Sequence, residues 1–355
     1  TRLSEGDIVR KWKGISGPNR LILRANLGLI EEINFYKLLK VESKRLRSLT
    51  SKKFDTFKNK VLIRSSIEAF SSESRSNLRI GYQLKQLIEY VTPEALITTF
   101  EGHSFERVIF KTIRNINPNI MCIAYMHSIL FPYQHAIKRN LSQFYNPDLV
   151  LTAGPLSMSL LQNEPSFKDI RLKVLGSNRY SNEGSEVREV AMKNRNSIDS
   201  SCLVLAEGII KEAIPLFEFA LECALIKPDI NFILRLHPLL KFDDLLAHSV
   251  RLRKLPKNVR PSQDDLYIDL QSSSWAIYRG SSSVFRGIEA GLMPIYYEFE
   301  GELCVDPLSE LKQWRKNVGD TQDFKIVIDD SRKISNEVWM HNVNEAVKYC
   351  NGCFS

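Results

Sequence analysis

The sequence predicts an α/β protein of two lobes, each a parallel sheet with helices on both faces. Three observations predict it. From about residue 60 onward short apolar runs alternate with amphipathic stretches, the βαβα order of a parallel sheet. Between 177 and 201 the composition shifts to Ser, Asn, Glu, Arg and Lys, with few large apolar residues, as a linker requires. Several apolar runs end in glycine, histidine or serine beside a charged residue, and open sheets bind ligands at the carboxyl ends of their strands. A chain of 355 residues is long enough for each lobe to bury its own core.

The elements follow in order. Apolar content at 21–39 suits one or two helices, and the basic stretch after it reads as a mobile loop. Strands are expected at 61–64, 95–100, 120–125, 149–152 and 172–175, with helices at 80–90, 105–115 and 156–163 between them. A second series gives strands at 203–206, 232–236, 276–278, 294–297 and 326–328, and helices at 209–225, 242–251 and 284–290. A helix at 336–349 closes the structure. The expected division is an acceptor-side lobe over 1–178, a linker over 179–200 and a nucleotide-binding lobe over 201–355. The two are Rossmann-like lobes facing a cleft.

Composition narrows the function classes. Hydrophobic content of 43% and charged content of 25% are ordinary for a globular protein, and no apolar run approaches the ~20 residues that span a bilayer. The start at Thr1 carries no signal-like pattern, so the chain reads as a piece of a longer protein. The six cysteines are scattered; only Cys350 and Cys353 form a Cys-x-x-Cys, without the second pair that zinc needs, and the context expected for them is a frayed C-terminal end. Reduced thiols point to the cytoplasm. The net charge of +8 suits an anionic membrane surface or a phosphorylated substrate, and no nucleic-acid-binding motif accompanies it. Gly-x-Gly-x-x-Gly, Walker, Asp-x-Asp and Gly-x-Ser-x-Gly patterns are all missing, which argues against dinucleotide enzymes, P-loop NTPases, a metal-bridged diphosphate site and the common serine hydrolases.

The motifs that carry chemistry stand at strand ends. In Arg235-Leu236-His237-Pro238 the proline stops the strand where the imidazole emerges, and Arg235 serves either a phosphate or a structural ion pair. In Gly280-Ser281-Ser282-Ser283 the glycine permits close backbone approach and the serines cap the helix that begins near Val284, where N–H groups and hydroxyls attract an anion. Glu289, on that helix, is placed to accept from ribose hydroxyls or to stay solvated. Phe100-Glu101-Gly102-His103 offers a carboxylate for general-base or nucleophilic work, with His103 and Glu106 as tuning neighbours. Glu207-Gly208 repeats that pattern in the second lobe, against the nucleotide. Tyr125-Met126-His127-Ser128 ends another strand, with Gln134 just beyond, and these are sugar-side or acceptor-side candidates.

Taken together, His237-Pro238 followed some forty residues later by Ser281-Ser282-Ser283 resembles the His-Pro and Ser-Ser motifs of bacterial GT-B glycosyltransferases that use CMP-activated sugars. These include the sialyltransferases, polysialyltransferases and Kdo transferases of capsule and lipopolysaccharide synthesis. Phe100-Glu101-Gly102 is similar to their acidic–acidic–Gly motif, with phenylalanine at the first acidic position. The pattern also resembles the polyol-phosphate transferases of teichoic acid synthesis. The resemblance implies that His237 assists departure of the CMP phosphate, that Ser281, Ser282 and Ser283 hold it, and that Glu101 is the catalytic base. Some related Kdo transferases use such an acid as nucleophile, so an inverting and a retaining course both stay open.

The expectation is therefore a cytoplasmic, metal-independent glycosyltransferase, without cofactor, at the periphery of an anionic inner membrane. It moves a 2-keto acid sugar (Kdo, sialic acid or a related nonulosonate) from CMP to a glycan or lipid-linked precursor. Arg279 and Arg286 are the nearest cations for the sugar's carboxylate. The competing expectations are a UDP- or GDP-sugar or CDP-polyol donor, and a non-catalytic glycan- or nucleotide-binding module. Nucleic acid is not an expected partner.

Overall fold

The computed structural model describes residues 21–50, 56–131, 133–177, 188 and 200–354. The chain divides into two compact units. One comprises Thr1–Met126, Ala136–Leu151 and Gln162–Lys173, and the other His127–His135, Thr152–Leu161 and Val174–Ser355. Two segments of the expected first lobe, 127–135 and 152–161, thus pack with the second. Of the expected linker, only Arg188 and Ser200 lie within the described residues.

The first unit opens with α1 (Leu29–Ser48), α2 (Phe57–Glu68) and α3 (Ser72–Val91). Its sheet has the order β1-β2-β3-β4, from β1 (Ala95–Thr99), β2 (Met121–Met126), β3 (Leu149–Thr152) and β4 (Arg171–Val174), with α4 (Ser104–Ile116) crossing from β1 to its parallel neighbour β2. The strand expected at 61–64 is instead the middle of α2. Thr56 accepts from the Asn59 N–H to start the helix, and Asn59 and Ser66, seven residues apart, are both buried, as helical spacing dictates. The mobile loop expected after residue 39 is likewise replaced over 40–48 by the last turns of α1 and over 56–60 by this helix start, while 51–55 lie outside the described residues.

The second unit carries α5 (Pro155–Gln162) at its entry, then β5 (Ser201–Leu205), α6 (Ile210–Ile226), β6 (Asn231–Arg235), α7 (Phe242–Leu246), β7 (Val259–Pro261) and α8 (Leu266–Gln271). It ends with β8 (Ser273–Tyr278), α9 (Val284–Glu289), β9 (Met293–Tyr297), β10 (Lys316–Val318), α10 (Thr321–Lys333) and α11 (Asn336–Phe354). The sheet order is β10-β9-β8-β5-β6-β7, and every neighbouring pair is parallel. Every residue of β5 and β8 is buried, the mark of strands covered on both faces. From β5 the chain first winds outward through β6 and β7, then returns to β8 on its other side. The switch point of the sheet therefore lies between β5 and β8, where open α/β sheets place their ligands.

Here too one expected strand is a helix. Residues 326–328 lie inside α10, which Asp320 caps by accepting from the N–H groups of Gln322 and Asp323 at 2.8 and 2.9 Å. Phe324 and Ile328, four apart, are buried while Ile326 is exposed, a helical and not an alternating pattern. The C-terminal end is not frayed. The last helix runs to Phe354, with Cys350 and Cys353 both buried, and burial pushes the Cys353 thiol up to about 12 and raises Cys350 as well. Both stay protonated and pack as small apolar groups. Among the described residues no helix is long and apolar enough to cross a membrane.

Candidate functional site

Three adjacent strands of the second sheet deliver their loops to one edge. Leaving β8, the Gly280 N–H donates to Glu207 Oε1 at 2.8 Å, and Glu207 follows β5. A Cβ on Gly280 would stand 2.7 Å from that carboxylate, so a larger residue there would push the Glu207 side chain aside. Beyond β6, the His237 ring packs on Gly208, and its Nδ1 accepts from the Leu239 N–H at 3.2 Å. The neutral ring thus carries its proton on Nε2, which makes no hydrogen bond among the described residues.

Beside the switch point a cavity of about 300 Å³ opens within the second unit. His127, Ser128, Gly280, Ser282, Ser283, Arg286 and Glu289 line it, seven residues that sequence patterns had singled out on separate segments. Arg286 Nη1 donates to Glu289 Oε2 at 2.8 Å, which holds a buried carboxylate and a half-exposed guanidinium on one wall. Ile129 and Phe285 add apolar surface, and Phe131, Pro307 and Phe354 complete the walls. None of these three was foreseen, and Phe354 in particular sits where fraying was expected. Hydroxyls, an imidazole and a guanidinium offer donors to an anion, the Glu289 carboxylate accepts from hydroxyls, and the apolar walls suit a ring.

The serine run behaves differently from expectation. Ser281 is buried and is not part of the cavity lining, while Ser282 is exposed and Ser283 half-buried. Ser283 has helical backbone angles and its hydroxyl makes no cap. The turn is closed instead by the carbonyls of Ser281 and Ser282, which accept from Val284 and Phe285. With capping met by the backbone, the hydroxyls of Ser282 and Ser283 are not committed to it.

Four other candidates in this unit are structural. Arg235 Nη1 is drawn to Asp269 at 2.7 Å, with Ser262 and the Asp264 carbonyl beside it, because that fully buried carboxylate needs a counter-ion. Arg279 is buried between Glu212 and Glu302, at 2.8 and 2.6 Å, and stacks over Phe299. Arg235 is thus engaged through Nη1, and Arg279 through both terminal nitrogens. Glu207 organises the Gly280 loop, and burial holds its carboxyl above the usual range against the opposing effect of the Gly280 hydrogen bond. Gln134 closes a turn with Phe131, its N–H donating to that residue's carbonyl at 3.1 Å. Pro238 is exposed at the end of β6.

In the first unit, Glu106 is fully buried and accepts from the N–H groups of Glu101 at 3.0 Å and His103 at 2.7 Å. It shapes the loop after β1 and is not a sugar-side group; burial raises its carboxyl despite those bonds. Gly102 has φ +83°, and a Cβ there would lie 2.3 Å from the backbone of Ala136 and Ile137. The loop so formed sets His103 Nε2 3.1 Å from Glu101 Oε2, with the imidazole exposed and stacked on Phe105. A larger cavity of about 860 Å³ lies at the opposite, amino-terminal edge of this sheet, beside Pro118, Asp148 and Arg171, and none of the sequence-derived candidates lines it.

No protein-family model matches the sequence, and no curated protein matches it either. Solved structures do. The glycotransferase of kitacinnamycin is similar over 79% of each chain, with 13% identity and a TM-score of 0.50. The S. aureus MnaA–UDP co-structure is similar over 90% of each chain, with 11% identity and a TM-score of 0.50. The fold is the GT-B fold of glycosyltransferases, with two α/β units built on parallel sheets and a C-terminal helix.

Proposed function

We propose that the chain is a glycosyltransferase that takes its sugar from a nucleotide donor, UDP-linked in the first instance, held in the cavity of the second unit. The observation that carries this reading is the convergence of seven residues, from 127–128, 280–283 and 286–289, on one cavity beside the switch point. UDP is favoured by its presence in one of the two structures of like fold. In this reading Arg286, Ser282 and Ser283 meet the phosphates, and Glu289 accepts from the ribose. The apolar wall of Phe131, Pro307 and Phe354 takes the base. The His237 Nε2–H donates to the departing phosphate. An acceptor hydroxyl attacks the anomeric carbon and loses its proton to Glu101, as the carbon–oxygen bond to phosphate breaks.

A CMP-sugar donor is the second reading, and one observation favours it. His237-Pro238 and the serine run, the pair on which the resemblance to CMP-sugar transferases rests, end up at the same sheet edge, two strands apart.

Calorimetric titration with UDP, CMP, GDP and CDP, with and without magnesium, tests both readings. Saturable UDP binding, weakened about 10–100-fold by Arg286→Ala, is the expected result. CMP binding in its place moves the donor assignment to the second reading, and no binding of any nucleotide overturns both. Glu101→Gln should leave nucleotide affinity unchanged and lower turnover by at least about 100-fold. Equal turnover of variant and parent would remove Glu101 from the chemistry.

A further inference from the structure

We propose that the outward faces of α1 and α2 form a docking surface for an anionic lipid membrane. The first helix buries Leu39 and Ser43 and turns Ile30, Ile33, Lys37, Val41 and Lys44 to the other side, at spacings of three and four that make one stripe. Ile30 is 72% exposed and Val41 65%. The second helix lies against it, joined by an Arg47–Ser66 hydrogen bond of 3.2 Å and by the Tyr36 and Phe70 rings. It exposes Phe57 at 84% and Val61 at 46%, with Lys58 between them. A water-facing helix surface would carry polar residues at these five apolar positions.

Charge identifies the occupant. Lys37, Lys44 and Lys58 make no ion pair among the described residues, whereas Arg45, Arg64 and Arg79 are paired with Glu42, Glu68 and Glu32. Unpaired lysines among exposed aliphatic and aromatic side chains match an interface of acyl chains under anionic headgroups, with each lysine stem lying along apolar surface and its ammonium among the phosphates. Self-association is disfavoured, because a twofold contact would set these lysines against their own copies. The site is separate from the nucleotide cavity and does not depend on the donor assignment.

Flotation of the full chain with vesicles tests the assignment, using phosphatidylcholine alone and mixed with phosphatidylglycerol. The chain should float with the mixed vesicles only, and added salt should release it. Lys37→Glu with Lys44→Glu should weaken binding by at least about 25-fold, from roughly 5-fold per charge removed. Phe57→Ser with Val61→Ser should weaken it without lowering the melting temperature, since both side chains are exposed. Absence of flotation with the mixed vesicles, or undiminished binding by the lysine variant, overturns the proposal. So does a lipid-free dimer, seen by light scattering, that the same substitutions dissociate.

Discussion

At the scale of single residues, the contact between Glu207 and the Gly280 N–H holds the loop that leaves β8. Burial raises the carboxyl of Glu207 above its ordinary 4.5, so between that value and its folded pKa the native state holds a proton that the unfolded chain has lost. Stability then falls as pH rises through this window. Glu207→Gln keeps an oxygen to accept from Gly280 and removes the ionisation. Urea midpoints measured across the window should decline for the parent and stay flatter for the variant; parallel curves would contradict the assigned role. Placement at strand ends was legible in the sequence where a few consecutive positions define it, as in Gly280 to Ser283 after β8 or Glu101 to His103 after β1. The ion-pair partners of Arg235 and Arg279 were not legible, because Asp269 lies 34 residues from the first and Glu212 67 from the second.

Among the elements, the turn after β1 shows how one position sets a whole connection. Gly102 combines φ +83° with a chain crossing directly over its Cα, so Gly102→Ala suffers both backbone strain and a clash with main chain that no rotamer relieves. A loss of about 2–4 kcal/mol is expected in denaturant unfolding. A loss within experimental error would mean that the segment at 136–137 moves away freely. Most elements were legible, including the serial βα order and the strands that became β1 to β6, β8 and β9. The errors fell on three- and four-residue apolar runs, 61–64 and 326–328, where periodicity alone does not separate strand from helix. In both places the deciding information was a cap upstream, Thr56 and Asp320. The edge strands β7 and β10, three residues each, were too short to leave a pattern.

For the whole molecule, the chain passes between its two units at 126/127, 135/136, 151/152, 161/162 and 173/174, which is five crossings. Interleaving of this kind was not legible, since nothing local in 127–135 or 152–161 marks those segments as belonging to the later unit. It makes independent unfolding of either unit difficult. Scanning calorimetry should therefore show one transition, and saturating nucleotide should move it as a whole, by about 2.7 kcal/mol at a hundredfold excess over Kd. Two separable transitions, of which nucleotide moves one, would refute the coupling.

The last helix turn carries a further consequence. Phe354 walls the cavity, its carbonyl accepts from Ser177 N–H at 2.9 Å, and the neighbouring Cys353 backbone sits so close to Gly154 that a Cβ there would be 2.3 Å away. These contacts bring the final residues, the segment at 177 and the entry to α5 into one joint. One aromatic ring thus ties the cavity wall to a three-way junction of distant segments. Phe354→Ala should weaken binding of the proposed nucleotide while the protein still melts cooperatively, and unchanged affinity would remove the ring from the wall.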